Sequence, residues 1–128
     1  MSGSPPPTVF VLDDDAAIQD SLRQLLTVMR FPAEFFTSVD EYWAAYDPRR
    51  LGCLLLDLRL PGDGFSVLQR FADEGHGLPT LVITGHGDEE TKAKAFELGA
   101  VGFFEKPFNI RVLCDAIRKT LHSDNGAD

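Results

Sequence analysis

The sequence predicts an α/β fold, a three-layer sandwich in which a five-stranded parallel sheet lies between two layers of helices. Two observations lead to this prediction. Short apolar runs alternate with segments of helical spacing, and the central runs are continuously apolar rather than alternating. Strands buried on both faces of a parallel sheet have this continuous pattern, whereas half-exposed strands alternate. Each parallel connection needs a crossover helix, which accounts for four helices between the five strands, and a fifth helix is expected after the last strand.

The strands are expected where the apolar runs lie, at 9–12, 33–36, 51–56, 78–84 and 101–105. Each run has the length of an ordinary strand and is separated from the next by enough chain for a helix. For five strands connected in this way, the flavodoxin-like order 2-1-3-4-5 is the favoured arrangement. In such sheets a site forms beyond the carboxyl ends of the strands, where the strand order reverses.

The helices are predicted from apolar residues that recur on one helical face. The first stripe consists of Ile18, Leu22, Leu25, Leu26 and Met29, and the last of Ile110, Leu113, Cys114, Ile117 and Leu121. A shorter stripe, Val67, Leu68, Phe71 and Ala72, marks a helix between the third and fourth strands. Asp88 is a suitable N-cap for the next helix, and Gly99 suits the left-handed position after its end.

The domain organisation follows from length and composition. The 128 residues fit one domain. We expect residues 1–7, rich in Ser, Gly and Pro, to be a disordered lead-in, residues 8–122 to form the domain, and residues 123–128 to be a tail or the stump of a linker. Cys53 and Cys114 lie in apolar runs without metal-ligand spacing, so we expect reduced, buried thiols.

Charge and hydropathy exclude several classes of function. The formal net charge of −8 counts against direct nucleic-acid binding by this domain, because no basic stripe is present to displace counterions from phosphates. No apolar run approaches the length needed to cross a bilayer. The first residues lack the basic and apolar regions of a secretory signal, so we expect a cytoplasmic protein without membrane contact.

The polar residues that carry chemistry lie at the predicted strand ends. Carboxylates, a hydroxyl and an ammonium follow four of the strands: Asp13, Asp14, Asp15, Asp57, Thr84 and Lys106. An acidic triplet alone is more often a helix cap with solvated charge, and a single Asp after a strand is often a turn former. Their convergence favours a metal site instead, because apposed carboxylates repel one another unless a cation compensates them. Oxygen ligands of this kind suit Mg²⁺.

An Asp carboxylate next to Mg²⁺ is able to attack phosphorus and form an acyl phosphate. Lys106 and the Thr84 hydroxyl would then bind the remaining phosphoryl oxygens. Other short motifs are missing: the glycines at 62 and 64 lack the third member of a dinucleotide loop, and the sequence contains neither a P-loop nor a Gly-x-Ser-x-Gly elbow.

Four ordered strings at these strand ends resemble the receiver domains of two-component response regulators: VFVLDDD at 9–15, LLLDLRLP at 54–61, LVITGHGD at 81–88 and FFEKPF at 103–108. The resemblance covers residues 8–122, and the wording of the last two strings is most similar to the subfamily with a helix-turn-helix DNA-binding output domain. It implies a phosphoacceptor domain that takes its phosphoryl group from a sensor histidine kinase and is not an enzyme, catalysing only its own phosphorylation and dephosphorylation.

The resemblance also implies a role for each matching residue. Asp57 is the phosphoacceptor. Mg²⁺, with Mn²⁺ as a substitute, is bound by Asp14, Asp57 and the backbone carbonyl of Arg59, and by Asp13 through water. Thr84, Lys106 and Phe103 bind the phosphoryl group or switch in response to it, and the Lys106–Pro107 bond is cis. The resemblance implies that phosphorylation changes the face formed by helix 4, strand 5 and helix 5. It also implies a phosphorylation-dependent homodimer. Arg59 and His86, at the approach to the phosphoryl group, tune dephosphorylation.

One departure from the family pattern stands beside this resemblance. The loop from Pro61 to Gly64 is one residue shorter than usual, and Asp63 adds an acid to it. A pseudo-receiver, an interaction module that keeps the fold without phosphorylation, is therefore the runner-up interpretation. An Asp-nucleophile phosphatase fits less well, because such enzymes carry an acid/base Asp two residues after the nucleophile, where this chain has Arg59.

Overall fold

A computed structural model describes residues 7–85 and 87–126, with side chains described up to residue 122. Over these residues five strands alternate with five helices: β1 Thr8–Leu12, α1 Ala16–Val28, β2 Ala33–Phe36, α2 Val39–Ala45, β3 Gly52–Asp57, α3 Gly64–Glu74, β4 Thr80–Thr84, α4 Glu89–Glu97, β5 Gly102–Glu105 and α5 Ile110–Gly126. All neighbouring strands are parallel and their order is β2-β1-β3-β4-β5. The predicted fold class and strand order are confirmed.

The sheet is buried on both faces, and successive residues of each strand enter different apolar clusters. Val9 and Val11 of β1 pack with Leu22 of α1 and Ile117 of α5. The residues between and after them, Phe10 and Leu12, pack with residues of α2, α3 and α4, among them Tyr42, Val67 and Ala95. This division places α1 and α5 on one face and the other three helices on the opposite face, because side chains alternate along a strand.

A capping side chain begins each of the five helices, at Asp15, Ser38, Asp63, Asp88 and Asn109. Asp15 accepts hydrogen bonds from the backbone amides of Ala17 and Ile18 at the start of α1. Asp88 accepts from the amide of Thr91 and caps α4, as predicted. Gly99 has a positive φ of 108° just after α4, where glycine was expected to end the helix. These caps fix where each helix leaves the sheet edge and so position the loops between them.

The structure differs from the sequence-based expectations at several element ends. Strand β4 begins at Thr80 rather than at residue 78, because Pro79 has no amide hydrogen to donate. Helix α5 continues to Gly126, past Leu121, the last residue of the apolar stripe that predicted it. The expected disordered lead-in falls largely on residues 1–6, which lie outside the described residues.

Cys53 and Cys114 form no disulfide; Cys53 is buried as predicted, whereas Cys114 is half-buried. Among the described residues, no helix is both long and apolar enough to cross a membrane.

Candidate functional site

The predicted site residues meet at the carboxyl ends of the strands. Asp13 and Asp14 follow β1, and Asp57 is the last residue of β3. One carboxylate oxygen from each of the three lies within 4.8 Å of the others. Asp13 and Asp57 are buried, with exposed fractions of 0% and 5%, whereas Asp14 is exposed. The acidic cluster predicted from the strand ends is therefore present.

Lys106, which follows β5, contacts two members of this cluster. Its Nζ lies 2.8 Å from Oδ2 of Asp13 and 3.2 Å from Oδ2 of Asp57. Its backbone amide donates to the carbonyl of Thr84 at 2.8 Å, which connects the ends of β4 and β5. The Lys106–Pro107 bond is cis, as predicted. Lys106 thus lies within contact distance of both Asp13 and Asp57.

Burial and the opposite charge of the partner act in opposite directions on the pKa values of Asp13 and Lys106. Desolvation raises the pKa of Asp13, although the hydrogen bond and charge of Lys106 oppose the rise. Burial lowers the pKa of Lys106, but the hydrogen bond and attraction from Asp13, with a further contribution from Asp57, outweigh it and leave the pKa raised overall. Lys106 supplies one positive charge against three carboxylates, so the cluster retains net negative charge.

Asp57 is also held by the loop that follows it. Its Oδ1 accepts a hydrogen bond from the backbone amide of Arg59 at 3.0 Å. Leu58 and Leu60 are buried and anchor the loop, while the side chain of Arg59 between them is exposed. Gly64 has no room for a side chain, because a Cβ there would lie 2.6 Å from the carbonyl oxygen of Asp57. The loop therefore fixes one oxygen of Asp57 and presents Arg59 to solvent.

The shortened part of this loop has unusual backbone geometry. Gly62 has a φ of 97° and Asp63 a φ of 68°, a value that non-glycine residues seldom adopt. A Cβ on Gly62 would lie 2.8 Å from Cβ of Val39, and the amide of Val39 donates to the carbonyl of Pro61 at 3.0 Å. The short loop is accommodated by close contact with the start of α2.

Thr84 and Phe103 lie on the two adjacent strands next to the acidic cluster. Thr84 ends β4 and is 1% exposed. Phe103 of β5 is partly buried and packs against the cluster formed with α2, α3 and α4. A Cβ on Gly87 would lie 2.7 Å from Cε1 of Phe103, so the ring borders the loop between β4 and α4. His86 of that loop lies outside the described residues.

The donor set fits a hard divalent cation. All three candidate ligands are carboxylates, two of them almost inaccessible to water, and their oxygens lie close enough together for one ion. Mg²⁺ prefers such oxygen ligands and retains several waters, for which the exposed position of Asp14 leaves room.

Sequence reasoning missed one residue of the site. Gln19 of α1 donates from Nε2 to the carbonyl of Asp13 at 2.7 Å and to that of Phe36 at 3.2 Å. No motif includes this position. Its position could have suggested a contact near the end of β1, because Gln19 lies one helical turn after the N-cap Asp15 and next to the apolar stripe of α1.

Comparisons with known proteins agree on one family. Residues 9–118 match the family model described as the response regulator receiver domain. Transcriptional regulatory protein FixJ of Bradyrhizobium diazoefficiens is 41% identical over 101 residues, a stretch that covers 78% of this chain and 49% of that protein. The chain spans about half the length of the curated relatives it matches.

Solved structures give the same result. The response regulator StyR matches with a TM-score of 0.87 at 35% identity, covering 96% of this chain and 63% of that one. The beryllofluoride-activated NtrC4 receiver domain dimer matches with a TM-score of 0.82 at 26% identity, covering 91% of this chain and 97% of that one.

Proposed function

This chain belongs to the response regulator receiver domain family, and we propose that it acts by accepting a phosphoryl group on Asp57 from a sensor histidine kinase, with Mg²⁺ bound by Asp13, Asp14 and Asp57. The observation that carries the proposal is the contact of Asp57 with Lys106, 3.2 Å from its carboxylate, beside a cluster of three acids. Receiver domains receive phosphoryl groups from sensor kinases and are not enzymes in the usual sense.

In the proposed transfer, a carboxylate oxygen of Asp57 forms a bond to phosphorus as the bond from phosphorus to the donor nitrogen breaks. Mg²⁺, when bound, supplies positive charge between the nucleophile and the transferring group. The Arg59 amide holds Oδ1 of Asp57, which leaves Oδ2, on the side of Lys106, to attack. Lys106 then neutralises one phosphoryl oxygen, and the hydroxyl of Thr84, which ends the adjacent strand β4, donates to another.

The proposed metal ligands are those that the family resemblance implies, and the acidic cluster supports them. Asp14, Asp57 and the backbone carbonyl of Arg59 would hold Mg²⁺ directly, and Asp13, which is buried and contacts Lys106, would hold it through water. Mn²⁺ substitutes because it accepts the same oxygen ligands. Water attacking the acyl phosphate from the side opposite Asp57 returns the domain to its resting state, and Arg59 and His86 control that approach. Phosphorylation and its reversal are the whole of the chemistry.

The output surface is proposed to be the face of α4, β5 and α5. Thr84 moves toward the phosphoryl group and the Phe103 ring turns inward behind it. The NtrC4 receiver domain, described as a dimer in its beryllofluoride-activated form, supports a phosphorylation-dependent homodimer here. Because relatives such as FixJ are transcriptional regulatory proteins, we propose that the switch controls a DNA-binding output domain in the cytoplasm. The net charge of −8 counts against contact between this domain itself and DNA.

The decisive experiment is covalent labelling. Incubation with acetyl phosphate and Mg²⁺ is expected to add one phosphoryl group, detected by intact-mass spectrometry, and Asp57→Asn is expected to abolish it. Asp63→Asn, which changes another acid of the same loop, serves as the matched control and keeps the label. Unchanged labelling of Asp57→Asn would overturn the site, and an unlabelled wild-type protein would favour the pseudo-receiver interpretation.

A further inference from the structure

The side-chain amide of Gln19 joins the ends of two strands next to the acidic cluster. Its Nε2 donates one hydrogen to the carbonyl of Asp13 at 2.7 Å and the other to the carbonyl of Phe36 at 3.2 Å. The backbone amide of Asp13 donates to the same Phe36 carbonyl at 3.1 Å. Both donors of the primary amide are therefore used, and they hold α1 to the point where the chain leaves β1.

The hydrogen bond to Asp13 acts on the residue that follows. The carbonyl of Asp13 and the amide of Asp14 belong to one rigid peptide plane, so fixing the oxygen fixes the direction in which the chain enters Asp14. On the other side, the amide of Asp15 donates to Oδ1 of Asp13 at 2.9 Å, and the Asp15 side chain caps α1. Asp14 thus sits between two anchored residues.

The carboxylate of Asp14 itself has no such restraint. It is exposed and has no hydrogen-bond or ion-pair partner among the described side chains. Its aim toward the other two carboxylates therefore depends on the backbone that carries it. A ligand held in position by its surroundings binds a metal more tightly than one that must be ordered on binding.

We propose that Gln19 is a positioning residue that orients Asp14 for the divalent cation, an inference that rests on the proposed metal site. A merely structural role, tying α1 to the sheet, would lower the stability of the fold and leave metal affinity unchanged. The positioning role acts on metal affinity, whether or not the stability changes as well.

The test compares Gln19→Met with Gln24→Met. Methionine keeps the length and helix propensity of glutamine but removes both donors. Gln24 lies on the same helix, exposed and without a side-chain hydrogen bond among the described residues, so it controls for the substitution itself. Calorimetric titration with Mg²⁺ is expected to show about a tenfold larger dissociation constant for Gln19→Met and a wild-type value for Gln24→Met.

A second readout separates positioning from general damage. At saturating Mg²⁺ the rate of Asp57 phosphorylation in Gln19→Met is expected to return to the wild-type value, because the excess metal compensates for a misaligned ligand. An unchanged Mg²⁺ dissociation constant in Gln19→Met overturns the inference even if the melting temperature falls. If the wild-type protein binds no Mg²⁺, the proposed metal site fails as well, so the two failures are distinguishable.

A third measurement needs no variant. In the wild-type protein, the side-chain amide hydrogens of Gln19 are expected to exchange with water more slowly than those of Gln24, as followed by nuclear magnetic resonance. Slow exchange supports the two hydrogen bonds on which the inference depends, and equal exchange at the two positions overturns it. This keeps the inference testable if Gln19→Met does not fold.

Discussion

Lys106 interacts with two acids in a place where few water molecules reach them. The Asp13 side chain is fully buried, and 17% of the Lys106 side chain is exposed. Removing one member of a buried ion pair is costly, because the other charge remains desolvated. In the metal-free protein the lysine therefore stabilises the fold by compensating Asp13, in addition to its proposed role at the phosphoryl group.

This predicts a pH-dependent penalty for Lys106→Met. In the presence of EDTA at pH 7, we expect its free energy of unfolding to be about 2–3 kcal/mol below that of the wild-type protein. The pKa of Asp13, already raised by desolvation from 3.8, rises further without the lysine. A raised pKa gives stability that is present below 3.8 and lost as the pH rises through the folded value, so the penalty shrinks as the pH is lowered.

Urea unfolding at pH 7 and at about pH 4.5 measures the difference in free energy of unfolding between the wild-type protein and Lys106→Met at each pH. Lys119→Met, which removes an exposed lysine of α5, is the control and is expected to show a small penalty at both pH values. A gap between Lys106→Met and wild type that does not change with pH would show that uncompensated charge on Asp13 is not its cause.

Arg59 is expected to control how long the phosphoryl group stays on Asp57. Its side chain is exposed, and its guanidinium makes no ion pair with the described residues, so it is available to cover the path of the attacking water. We predict that Arg59→Asn speeds the loss of the phosphoryl group several-fold, since a shorter polar side chain admits and orients water. Removing the phosphodonor and following phospho-Asp57 by mass spectrometry tests this.

Arg111→Asn, which removes an exposed arginine of α5, controls for the loss of a positive charge and should decay as the wild-type protein does. Equal or slower decay in Arg59→Asn would show that Arg59 does not shield the phosphoryl group.

At the scale of single residues, the sequence predicted which side chains meet but not how they pair. Strand ends brought Asp13, Asp57 and Lys106 together, because parallel strands share a carboxyl edge. The separate contacts of Lys106 with both acids, and the use of Gln19 as a clamp, depend on side-chain rotamers and on the path of α1. Neither leaves a periodic signal in the sequence.

Among the helices, α4 is weakly attached to the rest of the domain. Ala95 is its one buried residue, and Phe96 is 43% exposed. The ammonium of Lys94 lies 4.3 Å from the centre of the Phe65 ring and links α4 to α3. An element that buries so little apolar surface moves at low cost, which suits an output element.

We therefore predict that beryllofluoride with Mg²⁺ changes amide hydrogen exchange across residues 85–118. A phosphoryl mimic shifts the populations of the resting and activated conformations only by its differential affinity for them. Thr84 is the residue proposed to sense the mimic. Thr84→Ala is expected to remove the change, whereas Thr80→Ala, at the other end of β4 and equally buried, retains it. Exchange changes confined to the loops around Asp57 would contradict the switch.

The elements themselves were largely predictable. The strands were located to within two residues, because continuous apolar runs bounded by polar turns have few alternatives. Helix α2 was expected only from the alternation, because its seven residues are too few to show a repeating apolar face. The left-handed backbone at Asp63 was not predicted, because the shortened loop adopts it through contact with α2 rather than through any local preference.

At the scale of the whole molecule, the proposed metal site predicts that cation binding stabilises the folded state. Repulsion among Asp13, Asp14 and Asp57 opposes the native state, and Lys106 offsets part of it. A cation that binds the folded state but not the unfolded state stabilises the folded state by mass action. At ten times its dissociation constant, Mg²⁺ is expected to add about 1.4 kcal/mol, which corresponds to a rise of roughly 5 °C in the melting temperature of a chain of this size.

The variant Asp14→Ala tests both the repulsion among the carboxylates and the stabilisation by Mg²⁺. Removing an exposed carboxylate ligand is expected to abolish the rise with Mg²⁺, and it is expected to make the metal-free protein more stable than the wild type by relieving repulsion. The metal-free gain should diminish in high salt, because exposed charges are screened. Thermal melts with EDTA, with Mg²⁺ and with added salt measure the three effects.

The control for this experiment is Asp73→Ala, which removes a carboxylate at the opposite end of α3 and should retain the full shift with Mg²⁺. A wild-type protein whose melting temperature does not respond to Mg²⁺ would count against the metal site as a whole. A Mg²⁺ shift that persists in Asp14→Ala would instead assign the cation to Asp13 and Asp57. The gain in metal-free stability should remain in that case, because a carboxylate oxygen of Asp14 lies within 4.8 Å of those of Asp13 and Asp57 whether or not Asp14 binds the cation.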